Sequence, residues 1–144
     1  MADVKTYNPA KFLCIIGGIP MSGFADGTFV NVESVTDGIT SQSGADGEIA
    51  RAISADVRHR VTLTLQQTSA SNDVLSNFHK ADRLSGGGVL LPILLEDLTG
   101  RTVFAVAQSW IVKSPARGFG KDVGTREWLF ETGEPSISHT GGNS

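Results

Sequence analysis

The stretch from residue 57 to residue 84 changes its hydrophobic period partway through, and that change constrains the fold more than any other feature of the chain. From Arg60 to Gln67 the residues alternate, with Val61, Leu63 and Leu65 on one side and Arg60, Thr62, Thr64 and Gln66 on the other. Successive strand side chains point to opposite faces, so this is the pattern of a half-buried strand. From Val74 the apolar positions are Val74, Leu75, Phe78, Ala81 and Leu84, which form one stripe on a helix. Between the two, TSASND supplies candidate N-cap residues, and Asp73 falls in the first helical turn, where a carboxylate meets the positive end of the helix dipole.

The chain of 144 residues fits one domain over 1–144, long enough to bury a core without staples. A net charge of -3 argues against a nucleic-acid surface spread over the whole molecule, since such surfaces carry a basic excess. Seventeen glycines with plentiful Ser and Thr indicate a β-rich chain with many turns. The single cysteine, Cys14 in FLCII, can make no intramolecular disulfide and reads as a small buried hydrophobe. The N-terminus lacks the apolar core of a secretory signal, and VLLPILL and VFAVA fall far short of the ~20 residues of a spanning helix. The expectation is an intracellular protein that is soluble as made, with no membrane insertion.

Further strands follow from alternation and turn chemistry. Residues 1–11 are a polar arm; Phe12 to Ile16 pairs through Gly17-Gly18 with Ile19 to Met21. Thr28 to Val35 alternates and is expected in a second strand pair turning at Asp26-Gly27. Residues 36–56 lack a sustained period, and a structureless loop of that length is uncommon in a compact domain. The better reading is a projecting hairpin with its turn near Gly44 to Gly47, Ile39 and Ser41 leading out, and Ile49 and Ile53 returning. Charge concentrates here: residues 26–56 hold six carboxylates against Arg51. After a Ser85 to Gly88 stop signal, Val89 to Leu95 pairs with a strand over Thr102 to Val112, with Pro92 limiting the first to an edge or bulge. Arg126 to Thr132 is a last strand, with Trp128 and Phe130 on one face, and 134–144 is a polar tail. The fold class is mainly β: a β-sandwich or partly closed barrel of about seven strands with one flanking α-helix and a projecting hairpin arm.

Chemistry is sparse. His59, His79 and His139 have no paired ligand spacing, so no metal site is read. GFGK at 118–121 and the triple glycine at 86–88 lack the strand, helix and Ser/Thr context of a phosphate loop. Ser71 and Asp73 read as helix-start residues, and no nucleophile elbow or converging carboxylate pair occurs. Arg58, Arg60, Lys80 and Arg83 have no interleaved aromatics for base stacking. The expectations are no enzyme, no catalytic, cofactor-binding or metal residue, and no cofactor.

Five stretches carry a family likeness: DVKTYNP, GFADGTFV, GADGEIARA, VTLTLQQTSASNDVLS and REWLFETG, spread in order from Asp3 to Gly133. In these the chain resembles the tail tube proteins of contractile-tailed bacteriophages, which are similar in fold to the tube component of type VI secretion systems. The resemblance implies a β-sandwich or barrel with a flanking helix, six copies in a ring, and rings stacked into a tube inside a contractile sheath. It further implies a place in the virion after assembly in the host cytoplasm, contacts with sheath, baseplate and tail-terminator proteins, and genomic DNA passing without tight binding.

The residues fit that picture physically. A two-stranded ribbon is marginal in water, so the arm needs a neighbour, and Gly44, Asp46, Gly47, Glu48 and Arg51 are assigned to a subunit interface between rings. Thr62, Thr64 and Gln66 are assigned to a channel-lining face, with plain solvent exposure as the alternative. Two other readings stand beside this one: a type VI-like tube carrying protein effectors, and a monomeric β-sandwich binding a small ligand in a pocket built from Trp110, Trp128 and Phe130.

Overall fold

The alternating stretch becomes a strand and the apolar stripe becomes a helix. In the computed structural model, which describes residues 3–143, the elements in chain order are β1 (Phe12–Ile16), β2 (Ile19–Pro20), β3 (Val30–Ser34), β4 (Ile39–Ser43), β5 (Ile49–Ile53), β6 (His59–Gln66), α1 (Ser71–Leu84), β7 (Ile93–Asp97), β8 (Val103–Val106), β9 (Ser109–Lys113), β10 (Thr125–Thr132) and β11 (Ile137–His139). Positions 1, 2 and 144, the outermost residues of the expected arm and tail, lie outside the described residues.

Two antiparallel sheets face each other, one in the order β3-β6-β10-β9 and the other in the order β11-β8-β7-β1-β2; neither closes into a barrel. Register explains the first core layer: Val61 lies opposite Val32 and Phe130, and Leu63 opposite Val30 and Trp128. Each inward row thus joins aliphatic to aromatic side chains, and Val61, Leu63, Trp128 and Phe130 are buried. The facing layer is Cys14 and Ile16 from β1, Ile93 and Leu95 from β7, and Phe104 and Val106 from β8. At roughly 1.5–3 kcal/mol for each fully buried large aliphatic side chain, these rows are the main stabilising term of the sandwich.

The helix joins the two sheets. Leu75 is buried, Val74 and Phe78 pack on the core, and the buried Ser71 accepts from the backbone N–H of Ser22 at 3.0 Å. Phe78 lies over the β1–β2 turn so closely that a Cβ on Gly17 would sit 2.8 Å from its ring, and Gly17 has φ +62. Both the conformation and the space require glycine there. Only the first half of the stripe is used: Leu84 is 89% exposed, because the helix runs past the sandwich before it ends.

Four details depart from the sequence reading. The segment before β3 makes no hairpin at Asp26-Gly27; β3 pairs with β6, and the preceding residues run beside β6 through Gln66 N–H to Gly23 O (2.7 Å) and Ala25 N–H to Thr64 O (3.1 Å). Stacking of Phe24 on Phe29, centroids 4.9 Å apart, favours that path. Pro92 marks neither edge nor bulge: β7 starts just after it and is central, so the missing N–H falls outside the ladder. The strand over 102–112 is two strands in different sheets, and the inward phase slips at Ala107-Gln108, from Phe104 and Val106 to Ser109 and Ile111. Finally the tail adds β11 to the edge of β8, and Asn143 donates to Asp97 at 2.8 Å.

Candidate assembly surfaces

The segment with little apolar content forms its own two-stranded sheet, β4 paired with β5, and every residue of both strands is exposed. Ile39 faces Ile53 and Ser43 faces Ile49 across the ribbon, with Ser41 and Arg51 between them. Ile49 and Ile53 are 73% and 78% exposed, so one side of the arm offers isoleucine to water. The tip is fixed by Gly44 N–H to Glu48 O (2.7 Å), Gly47 N–H to Gly44 O (3.0 Å) and Glu48 N–H to Asp46 Oδ1 (3.1 Å), with Gly47 at φ +87. Gly44, Asp46, Gly47 and Glu48 therefore form the tip, and Arg51 stands midway along the returning strand. At the base, Arg58 grips Asp56 through Nε (3.0 Å) and Nη2 (2.9 Å). That forked pair lowers the Asp56 carboxyl to about 2.

Thr62, Thr64 and Gln66 share the outer face of the four-stranded sheet. In register beside them lie Asn31 on β3 and Glu127 and Leu129 on β10. One row further, Arg60 stands between Glu33 (3.8 Å) and Glu131 (3.7 Å), long and partly exposed ion pairs that orient more than they stabilise. The middle of this face is hydroxyl, amide and carboxylate; its charges are three glutamates against Arg60 and, at the β9 edge opposite Leu129, Lys113. Apolar residues on it are Leu129 and, toward β9, Trp110 and Val112.

The outer face of the other sheet has the opposite character. One row across it reads Ile137, Ala105, Leu94 and Ile15, aligned by register, and none of the four is fully buried. Reading strands in pairs misses this face, because it exists only once the sheet order is known. The signal was the almost wholly apolar run before Glu96, which puts apolar side chains on both sides of β7.

His59 and His139 line one cleft between the sheets, and His79 lies on α1. His59 stacks on Phe104 at 5.4 Å, and among the described residues no group of three or more His, Cys, Asp or Glu comes together as a metal cluster. Burial pushes the Cys14 thiol up to about 12. No helix among the described residues is long and apolar enough to cross a membrane.

Residues 16–139 match the family described as Bacteriophage PhiTE tail tube protein. A curated relative, Structural protein ORF10 of Pseudomonas phage KPP10, is 34% identical over 96% of this chain and 84% of its own length. Among solved structures, the tube terminating cap of the anti-feeding prophage is similar with a TM-score of 0.63 at 10% identity, covering 100% of this chain and 95% of its own. A chain from the sheath-tube complex of an extracellular contractile injection system in the extended state matches with a TM-score of 0.60 at 10% identity, over 90% of this chain and 89% of its own. These two likenesses are of fold.

Proposed function

The chain belongs to the bacteriophage PhiTE tail tube protein family, and from that membership we propose that its copies close into hexameric rings that stack into the inner tube of a contractile tail, the conduit for DNA ejection. As a tail tube protein it is a structural component of the virion. The whole chain acts as one tube unit, assembled in the host cytoplasm, and its partners are further copies of itself, the sheath outside, and the baseplate and terminator proteins at the tube ends.

The observation that carries the reading is the contrast between the two outer faces. A face of Thr62, Thr64, Gln66 and glutamates suits water and passing DNA, while the row Ile137, Ala105, Leu94 and Ile15 gains by being covered. DNA presents one negative charge per ~1.7 Å of axis, so a lysine-rich wall would hold it and an acidic or neutral wall lets it slide. The edges β3, β9, β11 and β2 are open to a neighbour's backbone. A heterologous contact that closes makes a ring, and axial stacking makes an open filament; a tube uses both. The arm supplies contact between rings, since its exposed isoleucines have no cover of their own.

The test is polymerisation of the wild type against a variant lacking residues 44–47, followed by sedimentation and negative-stain microscopy. The wild type forms rings or tubes and the variant remains a folded monomer. Tubes of normal length from the variant remove the arm from the account.

A further inference from the structure

Between α1 and the loop before β10 lies a cleft of about 230 Å³ whose ionisable lining is His79, Lys80, Arg117 and Arg126, with no carboxylate. Arg126 occupies a core-side position of β10 opposite Leu65 and is 7% exposed. Its guanidinium donates to the carbonyls of Thr125 (2.8 Å) and Gly118 (3.2 Å) and, among the described residues, forms no ion pair. A cation withdrawn this far from water with only neutral partners is unfavourable until a counter-charge reaches it. His79 also lines the cleft, and its Nδ1 is buried without a hydrogen-bond partner. The Phe119 ring lies over Arg126, 5.3 Å from guanidinium carbon to centroid, and is itself 80% exposed. The site is built for a carboxylate with an apolar side chain beside it.

The same chain carries that pair at the tip of its arm. Glu48 precedes the exposed Ile49, and the tip's turn engages Asp46 Oδ1 while leaving the Glu48 carboxylate free. Five strand residues at ~3.3 Å each carry the tip roughly 16 Å from the arm's base. All of those residues are exposed, so the tip is not engaged by its own body.

We infer that the cleft receives the arm tip of a second copy, with Glu48 pairing with Arg126, Arg117 and Lys80 while Ile49 packs on Phe119. This rests on the tube reading and deepens it: docking neutralises a buried guanidinium and covers an isoleucine and a phenylalanine in one contact, the anatomy of an anchoring interface residue with an apolar surround.

Two experiments test it. Chains carrying both Glu48→Cys and Arg117→Cys are assembled and treated with a short bis-maleimide, which spans the gap left when two long side chains are shortened. The buried Cys14 stays out of the reaction. A ladder of linked subunits absent from either single variant is the expected result. Separately, Arg117→Glu raises the protein concentration needed for polymer by about tenfold, the scale of one close charge contact, and adding Glu48→Arg restores it. Wild-type polymer with no ladder and no effect of Arg117→Glu overturns the docking and leaves the tube standing. Linkage of Arg117→Cys to a sheath protein instead of another copy also overturns it. A wild type that stays monomeric overturns the tube reading, and this inference with it.

Discussion

The indole N–H of Trp128 donates to Oδ1 of Asn72 at 2.9 Å, tying the first turn of α1 to the centre of the four-stranded sheet. Trp128 is 2% exposed, so without Asn72 its donor is buried and unsatisfied. Asn72→Leu is expected to lower stability by about 1–3 kcal/mol, the cost of an orphaned buried donor. Urea unfolding followed by tryptophan fluorescence checks it, and an unchanged midpoint counts against the tie.

The β1–β2 turn gives a second prediction. Gly17→Ala places a Cβ within 2.8 Å of the Phe78 ring and holds a non-glycine residue at φ +62. A left-handed alanine alone costs about 1–2 kcal/mol, and displacement of Phe78 adds to it. Thermal unfolding measures the loss.

Cys14 is expected to be inert in the folded chain. Burial pushes its thiol to about 12, so the reactive thiolate is scarce at any ordinary pH. A colorimetric disulfide reagent at pH 8 should react only after denaturant is added; rapid labelling of the native protein would refute the burial.

The base of the arm is acid-sensitive. The bond from Arg58 lowers Asp56 from 3.8 to about 2, so the folded state binds this proton less readily than the unfolded chain. Its contribution is present in full above pH 3.8 and is lost as the pH falls through about 2. Asp56→Asn is expected to flatten the melting temperature against pH within that window and to leave its slope unchanged above it.

Charge on the proposed lumen face makes the function itself testable. Thr62→Lys with Thr64→Lys leaves assembly intact, because both side chains point away from the core, and slows DNA ejection, because each added cation is a phosphate contact repeated along the tube. Ejection at the wild-type rate counts against that face as the wall.

Much of this was legible in the sequence wherever structure depends on near neighbours. β6, α1 and the arm are written in local periods and turn residues: Val61, Leu63 and Leu65 for one, Val74, Leu75 and Phe78 for the next, Gly44 and Gly47 for the third. What could not be read depends on pairing over distance. Alternation continues across Val106 to Ser109 with no mark that the chain changes sheets there, and β11 is a three-residue edge strand in a Ser- and Gly-containing tail that borrows its order from β8. The cationic cleft draws on residues 67–80 and 114–128, so no single window contains it. One sign was present: Arg126 shares its strand face with Trp128 and Phe130, and a cation in phase with core residues is uncommon enough to single out that end of the strand.

A cryo-electron-microscopy reconstruction of the assembled protein tests the proposed tube. The expected result is a tube of stacked rings with Thr62, Thr64 and Gln66 facing the lumen and the row Ile137, Ala105, Leu94 and Ile15 covered by neighbouring protein. A tube whose lumen is lined by that apolar row, with Thr62 and Thr64 on the outside, would contradict it.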